Sequence, residues 1–203
     1  DIRVIMKALK IAVILLLGSS VTLLAIPKDY VVAGGSVAIN TVDPGLVLDY
    51  SLASGLTGTS FTLNDGLSSS FGFFNIWTTE SAINNDDKSW KPISATLSFS
   101  TPISSATIDG DTYGVKAGFL GSYQAGKVVW DGPATMILSD RTFQISLSNE
   151  TFNAGYLWSL GCKGATVEAT VTQITSVPDG GITLMLLGLG LSGLAFGRRF
   201  MKA

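Results

Sequence analysis

Three segments of this 203-residue chain alternate between apolar and polar residues, over residues 95–100, 142–148 and 166–172. In an extended strand every second side chain lies on the same face, so each segment has one apolar and one polar face. This pattern is typical of half-buried antiparallel strands. It is incompatible with an amphipathic helix over the same residues, because a helix repeats every 3.6 residues.

Other segments between residues 46 and 174 are rich in β-branched and aromatic residues and are bounded by Gly, Asn, Asp, Ser or Pro. No sustained helical period occurs between residues 26 and 176. Turn residues occur at 64–66, 109–111 and 131–133. We therefore predict an all-β fold, an antiparallel β-sandwich of jelly-roll or Greek-key type. The predicted strands cover residues 46–53, 71–79, 93–101, 127–131, 134–139, 142–148 and 165–174.

The first 25 residues have the layout of a secretory signal peptide. Lys7 and Lys10 precede the apolar stretch 11–17, and small Ala25 follows. We expect cleavage after Ala25, with an uncleaved N-terminal anchor as the alternative. Residues 1–5 precede Met6 and have the character of upstream translated sequence. Either alternative sends the body of the chain across a membrane.

The other end of the chain carries an uncharged apolar run of 16 residues, 182–197. As a helix it would be about 24 Å long, somewhat less than the roughly 30 Å bilayer core. Arg198, Arg199 and Lys202 follow, where cationic side chains can reach a headgroup layer and favour the cytoplasmic side. We predict a C-terminal transmembrane helix with a basic anchor. A buried soluble helix is the alternative.

Val177, Pro178, Asp179, Gly180 and Gly181 precede this run. The motif, span and basic cluster together resemble the PEP-CTERM sorting signals, in the variant with a Val-Pro-Asp-Ser-Gly box, with Gly180 in place of Ser. The resemblance implies a substrate of an exosortase, held in the inner membrane as a precursor and delivered to the cell surface or the extracellular matrix.

Residues 91–174 also resemble β-rich ectodomains carried by such proteins, through the run from Trp130 to Pro133 and the repeated valines of 166–171. Three domains are therefore expected: the signal segment 1–25, an ectodomain 26–176 and the sorting tail 177–203. The family resemblance implies a non-enzymatic surface or matrix protein, with the membrane, an exosortase and an exopolysaccharide as expected partners. A carbohydrate-binding module and a polysaccharide hydrolase are the alternatives.

Composition excludes several kinds of site. The chain has no histidine and one cysteine, Cys162, so it cannot form an intrachain disulfide, a zinc finger or a Ser/Cys-His pair. We expect Cys162 to be a small buried thiol. Residues 26–176 hold seven basic and thirteen acidic residues, a formal net charge of −6. No basic stripe is present, so nucleic acid is not an expected partner.

Two acidic pairs, Asp86 with Asp87 and Asp109 with Asp111, supply oxygen ligands that Ca²⁺ prefers. They could also serve as the acid and base of a glycosidase. Neither pair has a full calcium-loop pattern, so we expect solvated turn carboxylates and predict no metal, no cofactor and no catalytic residue. Asn149 begins an N-glycosylation sequon, residues 149–151. Because the chain resembles bacterial proteins, we do not expect this asparagine to be glycosylated.

Aromatic residues are the remaining candidates for binding. Some of them could form a platform on which sugar rings stack, although aromatic side chains more often belong to a core. We expect Trp90 to be exposed, because Asp86, Asp87, Lys88 and Lys91 surround it. The candidates are Trp77, Trp90, Trp130, Trp158, Tyr50, Tyr113, Tyr123 and Tyr156.

Overall fold

The computed structural model describes residues 26–39, 41–42, 44–176, 188 and 190–191. Between residues 28 and 176 it contains eleven strands and one 3₁₀ turn, Phe119–Gly121. The strands are β1 Lys28–Ala38, β2 Leu48–Leu52, β3 Ser60–Leu63, β4 Ser68–Thr78, β5 Lys91–Thr101, β6 Ile103–Ala117, β7 Tyr123–Trp130, β8 Ala134–Ile137, β9 Arg141–Leu147, β10 Glu150–Tyr156 and β11 Ala165–Ser176.

The strands form two antiparallel sheets. The six-stranded sheet has the order β10–β7–β6–β5–β1–β3, and the five-stranded sheet has the order β2–β4–β11–β9–β8. Buried side chains of both sheets belong to one hydrophobic core. Phe74 of β4 packs edge-on against Trp130 of β7, with ring centroids 6.2 Å apart. The all-β prediction and the two-sheet arrangement of a sandwich are confirmed.

Each of the seven predicted strands corresponds to a strand of the structure. The alternation predicted from sequence appears as alternating burial along β5, where Ile93, Ala95, Leu97 and Phe99 are buried and the residues between them are not. The sequence prediction omitted β1, β3, β6 and β10. Residues 64–66 and 131–133 do lie between strands, as predicted.

The predicted turn at Asp109–Asp111 is wrong, because these residues lie inside the 15-residue strand β6. Gly110 faces inward there, opposite Trp130 of β7. A Cβ atom on Gly110 would lie 2.4 Å from the carbonyl oxygen of Val129 and 2.9 Å from the Cα of Trp130. The glycine therefore permits a close approach between neighbouring strands, which sequence alone does not distinguish from a turn.

Tyr30 connects the two sheets where the described chain begins and ends. Its ring is fully buried and packs edge-on against Phe143 of β9, 5.2 Å away. Its hydroxyl donates a hydrogen bond to Oε1 of Gln173 in β11. The guanidinium of Arg141 lies 5.3 Å from the ring centroid and donates a hydrogen bond to the carbonyl of Asp29. Burial raises the pKa of Tyr30, so the hydroxyl remains a donor.

The start of β1 and the end of β11 therefore lie at the same end of the sandwich. Lys28 Nζ is 3.5 Å from the carboxylate of Asp140, and the next residue, Arg141, pairs in register with Ser176. We call this the proximal end. The opposite, distal end carries Thr78 of β4 and Ala117 of β6.

Replacing Gly110 with Ala should destabilise the sandwich by about 1–3 kcal/mol, because the added Cβ meets backbone atoms of β7. Gly72→Ala is the matched control, since its Cβ would lie 3.4 Å from the nearest side-chain atom, an ordinary contact. Urea unfolding of both variants measures the difference. Equal midpoints for the two variants would contradict the assignment of Gly110 to a close strand pair.

Hydrogen bonds from Arg141 hold the pKa of Asp140 below its usual value. A carboxylate with a lowered folded-state pKa stabilises the fold above its unfolded pKa of about 3.9, and that contribution is lost as the pH falls through the folded value. The stability difference between the wild type and Asp140→Asn should therefore be constant above about pH 5 and shrink below about pH 4. Unfolding curves from pH 7 to pH 2 test this, and a pH-independent difference would contradict it.

Candidate functional site

The outer face of the six-stranded sheet carries three of the predicted polar and aromatic candidates, Asp109, Asp111 and Tyr113. Along β6 the inward positions are buried, whereas Asp109, Asp111 and Tyr113 face outward. Along β7 the outward positions include Lys127 and Val129. Because β6 lies between β5 and β7, its outward side chains occupy the interior of this face.

Trp90 and Tyr113 form a stacked pair on this face. Their ring centroids are 4.6 Å apart and the rings are within 16° of parallel. Trp90 directly precedes β5, and Lys91 pairs with Thr112, which places Trp90 beside Tyr113 across the strand pair. The side chain of Trp90 is 60% exposed, as predicted. We call Trp90 and Tyr113 the aromatic platform.

The loop that carries Trp90, residues 79–90, is fixed by buried polar contacts. Asp87 is fully buried, and its Oδ2 accepts a hydrogen bond from the Asn84 amide at 2.7 Å. The Gly114 amide donates to the Asp87 carbonyl at 2.7 Å. The Ile83 amide donates to Oε1 of Gln124 at 2.5 Å. Asp87 is therefore an internal support of the loop.

The prediction that Asp86 and Asp87 are solvated turn carboxylates is wrong for Asp87. Its partner Asp86 is half-buried and accepts a hydrogen bond from the Gly45 amide at 3.1 Å. Both carboxylates thus bind backbone amides, Asp86 that of another segment and Asp87 that of its own loop. Within the residues that the structure describes, no group of three acidic or cysteine side chains is arranged to hold a metal ion.

An open groove of 620 Å³ lies next to the aromatic platform. Asp109, Asp111 and Asp131 line it, and Ser94 and Lys91 contribute to its wall. Asp111 pairs in register with Pro92, and Asp109 pairs with Ser94. The Asp131 amide donates to the Asp109 carbonyl at 3.0 Å, so Asp131, directly after β7, lies beside Asp109 of β6.

The three groove carboxylates have no ion pair and no side-chain hydrogen bond with any described residue. Each can therefore accept hydrogen bonds from a ligand hydroxyl or ammonium group. Successive outward positions on a strand are about 6.7 Å apart. A single extended ligand could thus contact the platform and the carboxylates.

A second group of exposed apolar side chains lies at the distal end, and we call it the distal apolar cluster. The indole nitrogen of Trp158 donates to the Leu120 carbonyl at 3.0 Å, which joins the two loops that form the cluster. Leu120, Leu157 and Trp158 have positive φ angles of 53°, 58° and 65°. The cluster consists of Phe119, Leu120, Tyr156, Leu157 and Trp158.

The other aromatic candidates serve the core or the strand edges. Trp130 is buried and its Nε1 donates to the Ser148 carbonyl at 3.0 Å. Trp77 is half-buried. Tyr50 packs edge-on against Phe74. Tyr123 and Tyr156 contact each other with ring centroids 5.4 Å apart.

Two further predictions concern single residues. Cys162 is exposed, so the prediction of a buried thiol is wrong. It lies in the connection between β10 and β11, where Gly161 and its neighbours close a turn against Asn153 instead of entering the core. Asn149 of the sequon uses its side-chain oxygen to accept a hydrogen bond from the Trp130 amide at 2.8 Å.

The residues of the predicted sorting motif, 177–181, and of the basic anchor, Arg198, Arg199 and Lys202, lie outside the described residues. The same holds for the predicted signal peptide. In the part of the chain that is described, no helix is both long enough and apolar enough to cross a membrane.

Sequence reasoning missed two features of this face. Tyr113 was a separate aromatic candidate, and only the register of β5 and β6 brings it to Trp90. Asp131 was assigned to a turn, and its place beside Asp109 follows from the pairing of β6 with β7. The available sequence signal was the two-residue spacing of Asp109, Asp111 and Tyr113. In a strand, residues with this spacing lie on the same face.

Comparisons of the chain with protein-family models, with curated proteins and with solved structures gave no match.

Trp90→Ala should change the free energy of unfolding by no more than about 1 kcal/mol, because the side chain is mostly exposed and loses one stacking partner. Trp130→Ala should cost about 3–5 kcal/mol, because it empties a core position. Guanidinium unfolding compares the two variants. A cost for Trp90→Ala close to that of Trp130→Ala would mean that Trp90 is a structural residue.

Proposed function

We propose that this chain is an exported, non-enzymatic surface or extracellular-matrix protein, sorted by an exosortase-type system. In this proposal residues 1–25 are a signal helix and residues 177–203 a membrane-spanning sorting tail. The precursor is anchored in the inner membrane and the mature form reaches the cell surface or matrix. The partners are the exosortase, the membrane and an exopolysaccharide.

The observation that carries this proposal is the position of the described core relative to the sorting motif. The motif begins at Val177, directly after the described part of β11, Ala165–Ser176. Among the residues that the structure describes, every member of the hydrophobic core precedes this point. A sorting enzyme could therefore remove the tail without disturbing the core. Lys28 and Ser176 both lie at the proximal end. This position favours attachment of the domain to a membrane through one end, because both terminal segments join the sandwich there.

We also propose that the sandwich is of jelly-roll or Greek-key type. The pairing of strands distant in sequence supports this. β1 pairs with β5 and β4 pairs with β11, whereas β5–β6 and β8–β9 are neighbours in both sequence and space. Mixed short and long connections of this kind are typical of Greek-key sandwiches.

Changing Pro178 and Asp179 together to Ala should leave export intact but block maturation. Pro178 restricts the backbone before the apolar run, and Asp179 places a charge at its outer edge. The full-length precursor should then accumulate in the membrane fraction of a host that carries the exosortase, as seen by immunoblot with an antibody to the ectodomain. Maturation of this variant at the normal rate would reduce the motif to a linker and overturn the sorting proposal.

Deletion of residues 177–203 is the companion variant. It removes no residue of the described core, so it should yield a folded ectodomain in the soluble fraction. This control separates a failure of sorting from a failure of folding.

Glycan binding is the second candidate function, and the aromatic platform is the observation that favours it. An exposed tryptophan whose ring lies flat on a tyrosine offers an apolar plane at a polar surface. Such planes suit the C–H faces of sugar rings, while the neighbouring carboxylates can accept hydroxyl hydrogen bonds.

A further inference from the structure

We infer that the outer face around Trp90 binds a polysaccharide whose sugars carry free amino groups. One sugar ring stacks on Trp90, and ammonium groups of linked sugars contact the carboxylates of Asp109, Asp111 and Asp131. This inference rests on the glycan-binding candidate function, for which it names the binding residues and the class of ligand.

The aromatic platform orients the ligand. Tyr113 covers one face of the Trp90 ring and leaves the other face open, consistent with the 60% exposure of this side chain. The loop behind Trp90 is held by the buried Asp87. The platform is therefore preformed, and a ligand would not have to order it on binding.

The carboxylates of the groove select the charge of the ligand. Three aspartates face outward near the platform without an ion-pair partner among the described residues. Two lysines lie close to them. Lys127 pairs in register with Tyr113, on the β7 side of the platform. Lys91 lines the groove, and the end of its side chain packs against Gly45. The amide of Gly45 donates a hydrogen bond to Asp86.

The net charge of the whole ectodomain favours the same class of ligand. The ectodomain carries a net charge of −6, so its field attracts cationic chains and repels anionic ones. Each ammonium–carboxylate contact at an exposed site contributes little alone. Two or three such contacts along one chain would together give a preference of about tenfold over a neutral glycan.

The register of the strands sets the length of the ligand. From the row of Trp90 and Tyr113, the row of Asp111 is one outward step away and the row of Asp109 and Asp131 is two steps away. These steps correspond to about 7 Å and 13 Å along the strands. A monosaccharide could not contact the platform and both rows, so the ligand is an oligomer.

The distal apolar cluster is a less suitable glycan site. The indole N–H of Trp158 is already bound to the Leu120 carbonyl. Its exposed neighbours include Phe119 and Leu157, which offer no hydrogen-bonding side-chain group. Trp158, at 54% exposure, therefore provides a matched control for Trp90.

Isothermal titration calorimetry of the full chain in a polyoxyethylene detergent tests the inference. The probes are hexamers of β-1,4-linked glucosamine, N-acetylglucosamine and glucose, and a galacturonate hexamer, at pH 6. We expect the glucosamine hexamer to bind about tenfold more tightly than the two neutral hexamers, with an affinity that falls as salt is raised. The galacturonate hexamer should not bind.

The variants separate the platform from the carboxylates. Trp90→Ala should abolish binding of all hexamers, whereas Trp158→Ala should bind like the wild type. The triple variant Asp109→Asn, Asp111→Asn and Asp131→Asn should bind glucosamine and N-acetylglucosamine hexamers with equal affinity. Asp49→Asn, on an exposed position of β2, is the charge control and should change nothing.

Two results would overturn the inference in distinguishable ways. If neutral and amino hexamers bind equally well to the wild type and Trp90→Ala binds neither, the glycan site stands but the charge preference is wrong. If no hexamer binds, or Trp90→Ala binds like the wild type, glycan binding at this face is wrong as well. The sorting proposal is unaffected by either result.

Discussion

The buried side chain of Tyr30 is the contact on which the arrangement of the chain ends depends. Its hydroxyl bonds to Gln173 of β11, and its ring packs on Phe143 of β9 and under the guanidinium of Arg141. Tyr30 thereby ties the first strand of one sheet to the last strand of the other. Because β11 lies between β4 and β9, its end is fixed within the sheet, and the chain leaves the sandwich where it entered.

Glycines on the inner side of β6 and β7 determine where the aromatic platform stands. A Cβ on Gly114 would lie 2.7 Å from Ile83, and one on Gly126 would lie 2.1 Å from the Phe152 ring. Because Gly114 and Gly126 have no Cβ atom, the 79–90 loop and the Phe152 ring can pack directly against the backbone of β6 and β7. The inward faces of these strands thus hold the loop, while their outward faces carry Tyr113 and the groove aspartates.

Sequence patterns identified those strands whose burial alternates regularly, such as β5 and β9. Two of the omitted strands, β1 and β10, break this rule for physical reasons. β1 contains Gly35, where a Cβ would lie 2.4 Å from the Phe73 ring. β10 has an irregular register around Asn153, whose φ is 49°. β6 does alternate, but Asp109, Gly110 and Asp111 within it have the composition of a turn.

The site was only partly predictable for a related reason. Exposure of Trp90 followed from its polar neighbours in the sequence. Its stacking on Tyr113, the burial of Asp87 and the grouping of Asp131 with Asp109 depend on strand pairing, which local sequence does not specify.

Mass spectrometry of the mature protein from its native host tests the central claim most directly, because it defines both ends of the chain at once. An exported and sorted ectodomain should begin at Ile26 and should end within or next to residues 177–181. A mature protein that retains residues 1–25 and the intact tail through Ala203 would contradict the account.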